Sequence, residues 1–198
     1  MTYVKASVRR PAGNPGNGIQ PKDQLVIYDV DDILSFPQRN DAGVVIEDDI
    51  VMKAGRYAIG IYLTPGTAEI SSNSDGETDA EGYTPSVKFN HPGNEQEIRE
   101  FKTNWLSKKC IVVLRYCSGK PADLIGTPCN PCKLSVSYTG SNESNTNELT
   151  FTQISKGDDI AIYRGTDTLE EPVAVVEAGA TDIDYQTDGQ YQLSAGAA

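Results

Sequence analysis

Short runs of β-branched and aromatic residues, separated by turn residues, constrain the fold of this chain more than any other feature. Three of these runs are "QLVIYDVDDILSFP", "GVVIEDDIVMKAG" and "RYAIGIYLTPG", and four more are "KCIVVLRYC", "CKLSVSYTG", "ELTFTQIS" and "DIAIYRG". Period-2 alternation rich in Val, Ile, Thr and Tyr is typical of strands, and the runs predict roughly seven or eight of them.

One stretch, "HPGNEQEIREFKTNWLSKK", has the pattern of a helix. Asn94 and Glu97 have the spacing of a capping box, so we expect the helix to begin at Asn94 or Glu95. Spacings of three and four place three apolar side chains in one stripe that covers a hydrophobic sheet face. These residues are Ile98, Phe101 and Trp105. A parallel α/β sheet would need more helices. The sequence therefore predicts a mainly β fold, an antiparallel β-sandwich or barrel with one α-helix packed on the outside.

The length and composition predict one ordinary domain with two tails. The chain has 198 residues, of which 38% are hydrophobic, enough for the core of a single domain. We expect an N-terminal arm over residues 1–23, a β-sandwich domain over 24–165 and an acidic C-terminal extension over 166–198. The polar segment 71–82 is expected to be an exposed loop. Since no signal peptide or membrane span is recognisable, we expect the chain to stay in the cytoplasm.

The formal net charge of -11 argues against a protein that holds nucleic acid by neutralising phosphates. The charges are unevenly distributed, because residues 101–122 contain bases and no acid, whereas the residues after Arg164 contain acids and no base. This polarity suits head-to-tail self-association, in which the basic stretch 102–120 of one copy meets the acidic segments 71–82 and 167–188 of the next. Solvated charge on loops is the alternative.

Four cysteines raise the question of a metal or redox site. They are Cys110, Cys117, Cys129 and Cys132. Only the last two have the chelating Cys-x-x-Cys spacing, whereas a zinc ribbon normally has two such pairs. Cys110 and Cys117 are seven residues apart on one predicted strand and so lie on opposite faces. A redox motif would begin a helix, but a strand follows Cys132. We interpret all four as small buried residues flanking a proline turn, keep them as zinc candidates, and predict no cofactor.

No pattern of catalytic residues is recognisable, and we predict that the protein is not an enzyme. His91 is the only histidine and precedes Pro-Gly, which favours a turn residue over a catalyst. Neighbouring acids are interpreted as solvated carboxylates, because catalytic pairs converge from separate elements. These acids are Asp31–Asp32, Glu47–Asp49 and Asp158–Asp159. Glycine-rich phosphate loops and nucleophile elbows are not found.

The stretches "HPGNEQEIREFKTNWLSKKCIVVLRY" and "DLIGTPCNPCKLSVSYTGSNESNTNELTFTQ" resemble the major tail tube proteins of long-tailed bacteriophages. The resemblance covers roughly residues 24–165 and rests on the order of elements, the outer helix and the turn before a strand. It implies a β-sandwich subunit that joins hexameric rings, which stack head to tail into a tube. The cysteines and the acidic segment after Arg164 depart from the family pattern.

The resemblance implies a structural virion protein, assembled in the bacterial host cytoplasm and located in the viral tail. Its partners would be further copies of itself and other tail proteins, and DNA would pass through the lumen during genome ejection without specific binding. Net negative charge suits such a conduit, because it repels phosphates. The alternatives are another virion component, such as a head–tail adaptor or capsid decoration protein, a monomeric β-sandwich binding domain, or a small zinc-dependent or redox enzyme.

Overall fold

A computed structural model of the chain describes residues 6–13, 16–18, 20–117 and 119–169, and the predicted mainly β fold with one α-helix is confirmed. The described residues contain one α-helix, α1 (Gln96–Trp105), and one 3-10 helix (Val30–Asp32). Their twelve strands are β1 (Pro21–Asp29), β2 (Ile33–Ser35), β3 (Val45–Ile46), β4 (Val51–Met52), β5 (Ile59–Tyr62), β6 (Glu69–Asp75), β7 (Gly82–Pro92), β8 (Cys110–Tyr116), β9 (Ala122–Ile125), β10 (Cys132–Gly140), β11 (Asn145–Gln153) and β12 (Ala161–Tyr163).

Ten strands form one sheet that folds back on itself, and β2 and β4 form a small second sheet. The first half of the large sheet contains β5, β1, β8 and β9, and is continued by β12 and β3. The second half contains β10, β11, β7 and β6. The two halves share a single residue pair, Cys110 of β8 with Cys132 of β10. This narrow joint allows the halves to face each other as the two layers of a sandwich.

A first hydrophobic core fills the space between the two layers. From the first half, Leu25 and Ile27 of β1 and Val112 of β8 point into it, and Phe89 and Phe151 come from the second half. The two phenylalanine rings are stacked with their centroids 6.3 Å apart. The apolar stripe of α1 also packs on this core, as predicted, with Ile98 buried and Phe101 and Trp105 partly buried.

A second core lies on the other face of β1 and β8. It contains Val26 and Tyr28 of β1, together with Ile46, Leu124 and Tyr163. Because β1 is covered on both faces, every residue from Leu25 to Asp29 is buried and the strand lacks the alternation of a half-exposed strand.

The structure has more and shorter strands than the sequence predicts. The first predicted run is interrupted after β1, where the Asp29 side chain accepts a hydrogen bond from the Asp31 amide (3.1 Å) and the 3-10 helix begins. The second run is divided between β3 and β4. Among the described strands, the expected antiparallel pairing has one exception, since β3 and β12 are parallel.

The sequence predicts an exposed loop at 71–82, but the first five of these residues and the last one belong to strands. Residues 71–75 belong to β6, which pairs along its whole length with β7, a strand that begins at Gly82. Serine and asparagine have low strand propensity, but the register with β7 brings Ser71 Oγ to 3.0 Å from Ser86 Oγ and holds the segment extended.

The predicted capping box at the start of α1 is not formed. The N-terminal cap is Glu95, without a side-chain hydrogen bond. The Asn94 side chain instead accepts from Lys102 Nζ (3.0 Å), which also donates to Asn147 Oδ1 on β11 (2.6 Å). This contact ties the helix to the sheet. No helix among the described residues is long and apolar enough to cross a membrane.

Both predicted domain boundaries move outward by a few residues. Strand β1 begins at Pro21, which pairs with Tyr116, so residues 21–23 belong to the sandwich rather than to the arm. Residues 166–169 of the predicted extension also pack on the domain, and Leu169 forms a parallel bridge with Ala58. Most of the extension, residues 170–198, lies outside the described residues.

Candidate functional site

The structure brings two of the four cysteines together and leaves the other two apart. Cys110 and Cys132 are opposite each other at the joint between the two sheet halves, and both are buried in the first core. Cys110 Sγ lies 3.4 Å from the Cys132 carbonyl oxygen. Cys117 and Cys129 are exposed, so the prediction that all four are buried is wrong for these two.

Burial makes the paired thiols poor nucleophiles. It raises the pKa of Cys110 to about 12 and raises the pKa of Cys132 as well, so neither forms a thiolate at neutral pH. Within the described residues, no group of three or more His, Cys, Asp or Glu side chains is arranged to hold a metal ion. The geometry therefore supports packing residues at 110 and 132.

The Cys-x-x-Cys segment is a turn that leads into β10, as the sequence predicts. Thr127 and Asn130 exchange backbone hydrogen bonds of 3.0 and 3.1 Å. The Asn130 side chain donates to the Ser155 carbonyl (2.7 Å) and accepts from the Ser155 amide (3.0 Å). These bonds anchor the turn to the segment after β11, which gives the motif a structural role.

The sequence predicts a turn residue at His91, but the structure places it in β7. It pairs with Asn147 of β11 and makes an edge-to-face contact with Tyr62 (ring centroids 6.2 Å apart). Its Nδ1 atom is buried without a hydrogen-bond partner among the described residues. Burial lowers the pKa of His91, so the ring is held neutral. The described contacts give it no acid or base partner for catalysis.

The neighbouring acids hold loops in place. Asp49 accepts from the Thr166 amide (2.7 Å) and hydroxyl (3.0 Å), and Glu47 pairs with Arg164 at 3.0 Å. The remaining contacts of this kind are Asp32 with Arg56 (3.4 Å), Asp158 with Arg39 (3.8 Å) and Asp159 with Ser72 (2.5 Å).

The basic stretch 102–120 is partly neutralised inside the chain, and its role as a face for another copy stays a prediction. Lys108 forms an ion pair with the buried carboxylate of Asp29 and lies over the Trp105 ring, 5.1 Å from its centroid. Arg115 forms an ion pair with Asp167, the first acid of the predicted extension. These two cations therefore stabilise the subunit.

Asp167 is the centre of a buried polar cluster that we call the latch: Tyr28, Arg115, Tyr163 and Asp167. The Asp167 carboxylate is almost fully buried and accepts from the Tyr28 hydroxyl (2.6 Å) and from Arg115 Nε. Arg115 also donates to the Gly165 carbonyl (2.7 Å) and lies over the Tyr163 ring. Burial and Asp167 raise the pKa of Tyr28, so its hydroxyl remains a donor. The latch holds the segment after β12 against β1 and β8.

The open edge of β6 is the candidate surface for assembly. β7 is its one neighbour in the sheet, and no backbone hydrogen bond outside that ladder involves β6 among the described residues. Tyr83 of β7 exchanges hydrogen bonds with Gly157 on the side away from β6 (2.9 and 3.0 Å). In an antiparallel ladder, hydrogen-bonded residue pairs alternate with non-hydrogen-bonded pairs, and Tyr83 belongs to a non-hydrogen-bonded pair. Its partner Ser74 therefore also directs its backbone N–H and C=O away from β7. Ser72 and Ile70 do the same.

No protein-family model, curated protein or solved structure matches this chain. The structure defines its class as a two-layer β-sandwich with one outer helix and an open strand edge. The sequence predicts no strand at that edge, although "SVKFN" in the neighbouring β7 alternates between polar and apolar residues, which is a strand signal. The latch has no local signal, because Tyr28 and Asp167 are 139 residues apart.

Proposed function

We propose that this protein is a structural component of a phage virion, whose copies form the stacked hexameric rings of a tail tube and let DNA pass during ejection. Three lines of argument support the proposal. They are the resemblance of residues 24–165 to tail tube proteins, the open edge of β6 and the excess of acidic over basic residues. In this proposal the protein is assembled in the bacterial cytoplasm, becomes part of the viral tail and contacts other tail proteins.

The β6 edge carries the proposal because it presents a row of unused backbone groups. Open strand edges pair with other chains, and a closed ring removes them. Glu69, Asp75 and three serines make this edge polar, which keeps a lone subunit from pairing indiscriminately. Such an edge suits a partner that supplies a matching strand in a fixed orientation.

The surface charge supports a conduit rather than a DNA-binding protein. The chain carries 28 acidic and 17 basic residues, and Lys108 and Arg115 are occupied by buried carboxylates. A tube with an excess of carboxylates would repel the phosphates of a passing genome, so the DNA would not adhere to the wall.

A proline at the β6 edge tests the proposal. Proline removes a backbone N–H, and at position 74 that N–H points away from β7 and is not needed inside the subunit. Ser74→Pro should therefore fold yet fail to form rings or tubes, whereas Ser74→Ala should assemble like the wild type. Light scattering and negative-stain electron microscopy measure assembly, and circular dichroism checks the fold.

Three outcomes would count against this function. A wild-type chain that stays monomeric at high concentration would favour a monomeric binding domain. Single rings that never stack would favour a head–tail adaptor. Tubes formed equally well by Ser74→Pro would show that the β6 edge does not carry the assembly.

A further inference from the structure

Both ends of the described domain border one groove on its surface. The groove has a volume of about 340 Å³ and lies between the start of β1, with Lys22, Gln24 and Val26, and the segment that contains Asp167 and Leu169. The latch and the Leu169–Ala58 bridge fix the second wall. The start of β1 and the last described residues therefore lie side by side at this groove.

The two ends carry opposite charge. Residues 1–22 contain four bases and no acid, whereas residues 170–198 contain six acids and no base. The four bases are Lys5, Arg9, Arg10 and Lys22, and the six acids are Glu170, Glu171, Glu177, Asp182, Asp184 and Asp188. Lys22 is exposed in the groove, and none of the ion pairs of the described residues includes it.

We propose that this groove is the docking site of residues 170–176 of the same chain, with Glu170 and Glu171 paired to Lys22. Leu169 and Lys22 line the same groove, and Glu170 and Glu171 are the first two residues after Leu169. Since each residue spans at most about 3.6 Å, the two glutamates follow within about 7 Å of chain from the groove wall. The occupant belongs to the same chain because a short connection gives it an effective concentration in the millimolar range.

The sequence after the two glutamates also suits this groove. Pro172, Val173, Ala174, Val175 and Val176 form an apolar run, and the groove offers Leu169 and the aliphatic part of Lys22 as apolar surface. Asp23 lies at the same wall and carries the opposite charge to Lys22. The pairing therefore depends on Lys22, the one cation on the β1 side. This docking does not depend on the proposed virion function.

Zero-length cross-linking of the full-length protein tests the proposal. A carbodiimide joins a lysine amine to a carboxylate that touches it, so mass spectrometry should find Lys22 joined to Glu170 or Glu171. Mixed isotopically light and heavy chains should give cross-linked peptides that are entirely light or entirely heavy. Lys22→Arg keeps the charge but cannot be coupled, so it is the matched control.

A charge exchange separates a specific pair from chance proximity. Lys22→Glu combined with Glu170→Lys and Glu171→Lys should restore the cross-link with its direction reversed. Mixed light–heavy peptides would show that a second copy occupies the groove and would overturn the proposal. A Lys22 that couples to other carboxylates but not to residues 170 and 171 would overturn it too.

Discussion

Removing the charge of Asp167 should destabilise the domain far more than removing a surface carboxylate. The Asp167 side chain is 6% exposed and its partner Arg115 is 27% exposed. Breaking a buried ion pair by removing one partner costs about 3–5 kcal/mol. Asparagine still accepts from Tyr28, and Arg115 keeps the Gly165 carbonyl and the Tyr163 ring. We therefore expect Asp167→Asn to lower the free energy of unfolding by about 2–4 kcal/mol.

Urea denaturation followed by circular dichroism measures this loss. For a chain of this size, about 3 kcal/mol corresponds to a midpoint lower by roughly 6–12 °C in a thermal scan. Glu47→Gln is the matched control, because Glu47 forms an exposed ion pair with Arg164 and should contribute less than about 1 kcal/mol. Tyr28→Phe in a double-mutant cycle should be non-additive with Asp167→Asn. Equal and small losses for Asp167→Asn and Glu47→Gln would refute the latch.

Three further predictions follow from burial. In native protein a thiol reagent should label the two exposed cysteines quickly and the two buried ones only on unfolding. Rapid labelling of all four cysteines would contradict the burial of Cys110 and Cys132. Lys108→Glu should lower the free energy of unfolding by about 1–3 kcal/mol, since it places a carboxylate against Asp29, whereas exposed Lys109→Glu should have little effect in the same urea titration. The lowered pKa of His91 means that the unfolded chain binds its proton more readily, so stability should fall as pH drops below about 6.5. Denaturation at several pH values should show a weaker dependence in His91→Gln.

The sequence predicts those elements whose burial follows a local period. The apolar stripe of α1 and the alternation in β11 are visible in a single segment, because one face of each element packs on the core and the other does not. β8 is recognised for its β-branched residues. These signals were enough to predict the mainly β sandwich and the position of the helix against it.

The remaining features depend on contacts between distant segments. β6 has a polar sequence, and its extended conformation comes from pairing with β7. The use of Lys108 and Arg115 inside the chain depends on Asp29 and Asp167, which are 79 and 52 residues away. The exposure of Cys129 depends on how the proline turn is anchored to the segment after β11. No local pattern encodes such pairings.

The charges of this chain fall into two groups with different salt dependence. Asp29 and Asp167 are buried carboxylates, whereas their cations Lys108 and Arg115 are 44% and 27% exposed, so screening by solvent ions reaches these pairs only in part. The acids after residue 169 have no base in their own segment, so any ion pairs they form are with cations elsewhere, in the N-terminal arm, the domain or other copies. At 1 M salt the Debye length is about 3 Å, so exposed pairs of this second group weaken while the buried pairs persist. Raised salt should therefore reduce the Lys22 cross-link and slow assembly at ionic strengths that leave the unfolding midpoint of the domain nearly unchanged.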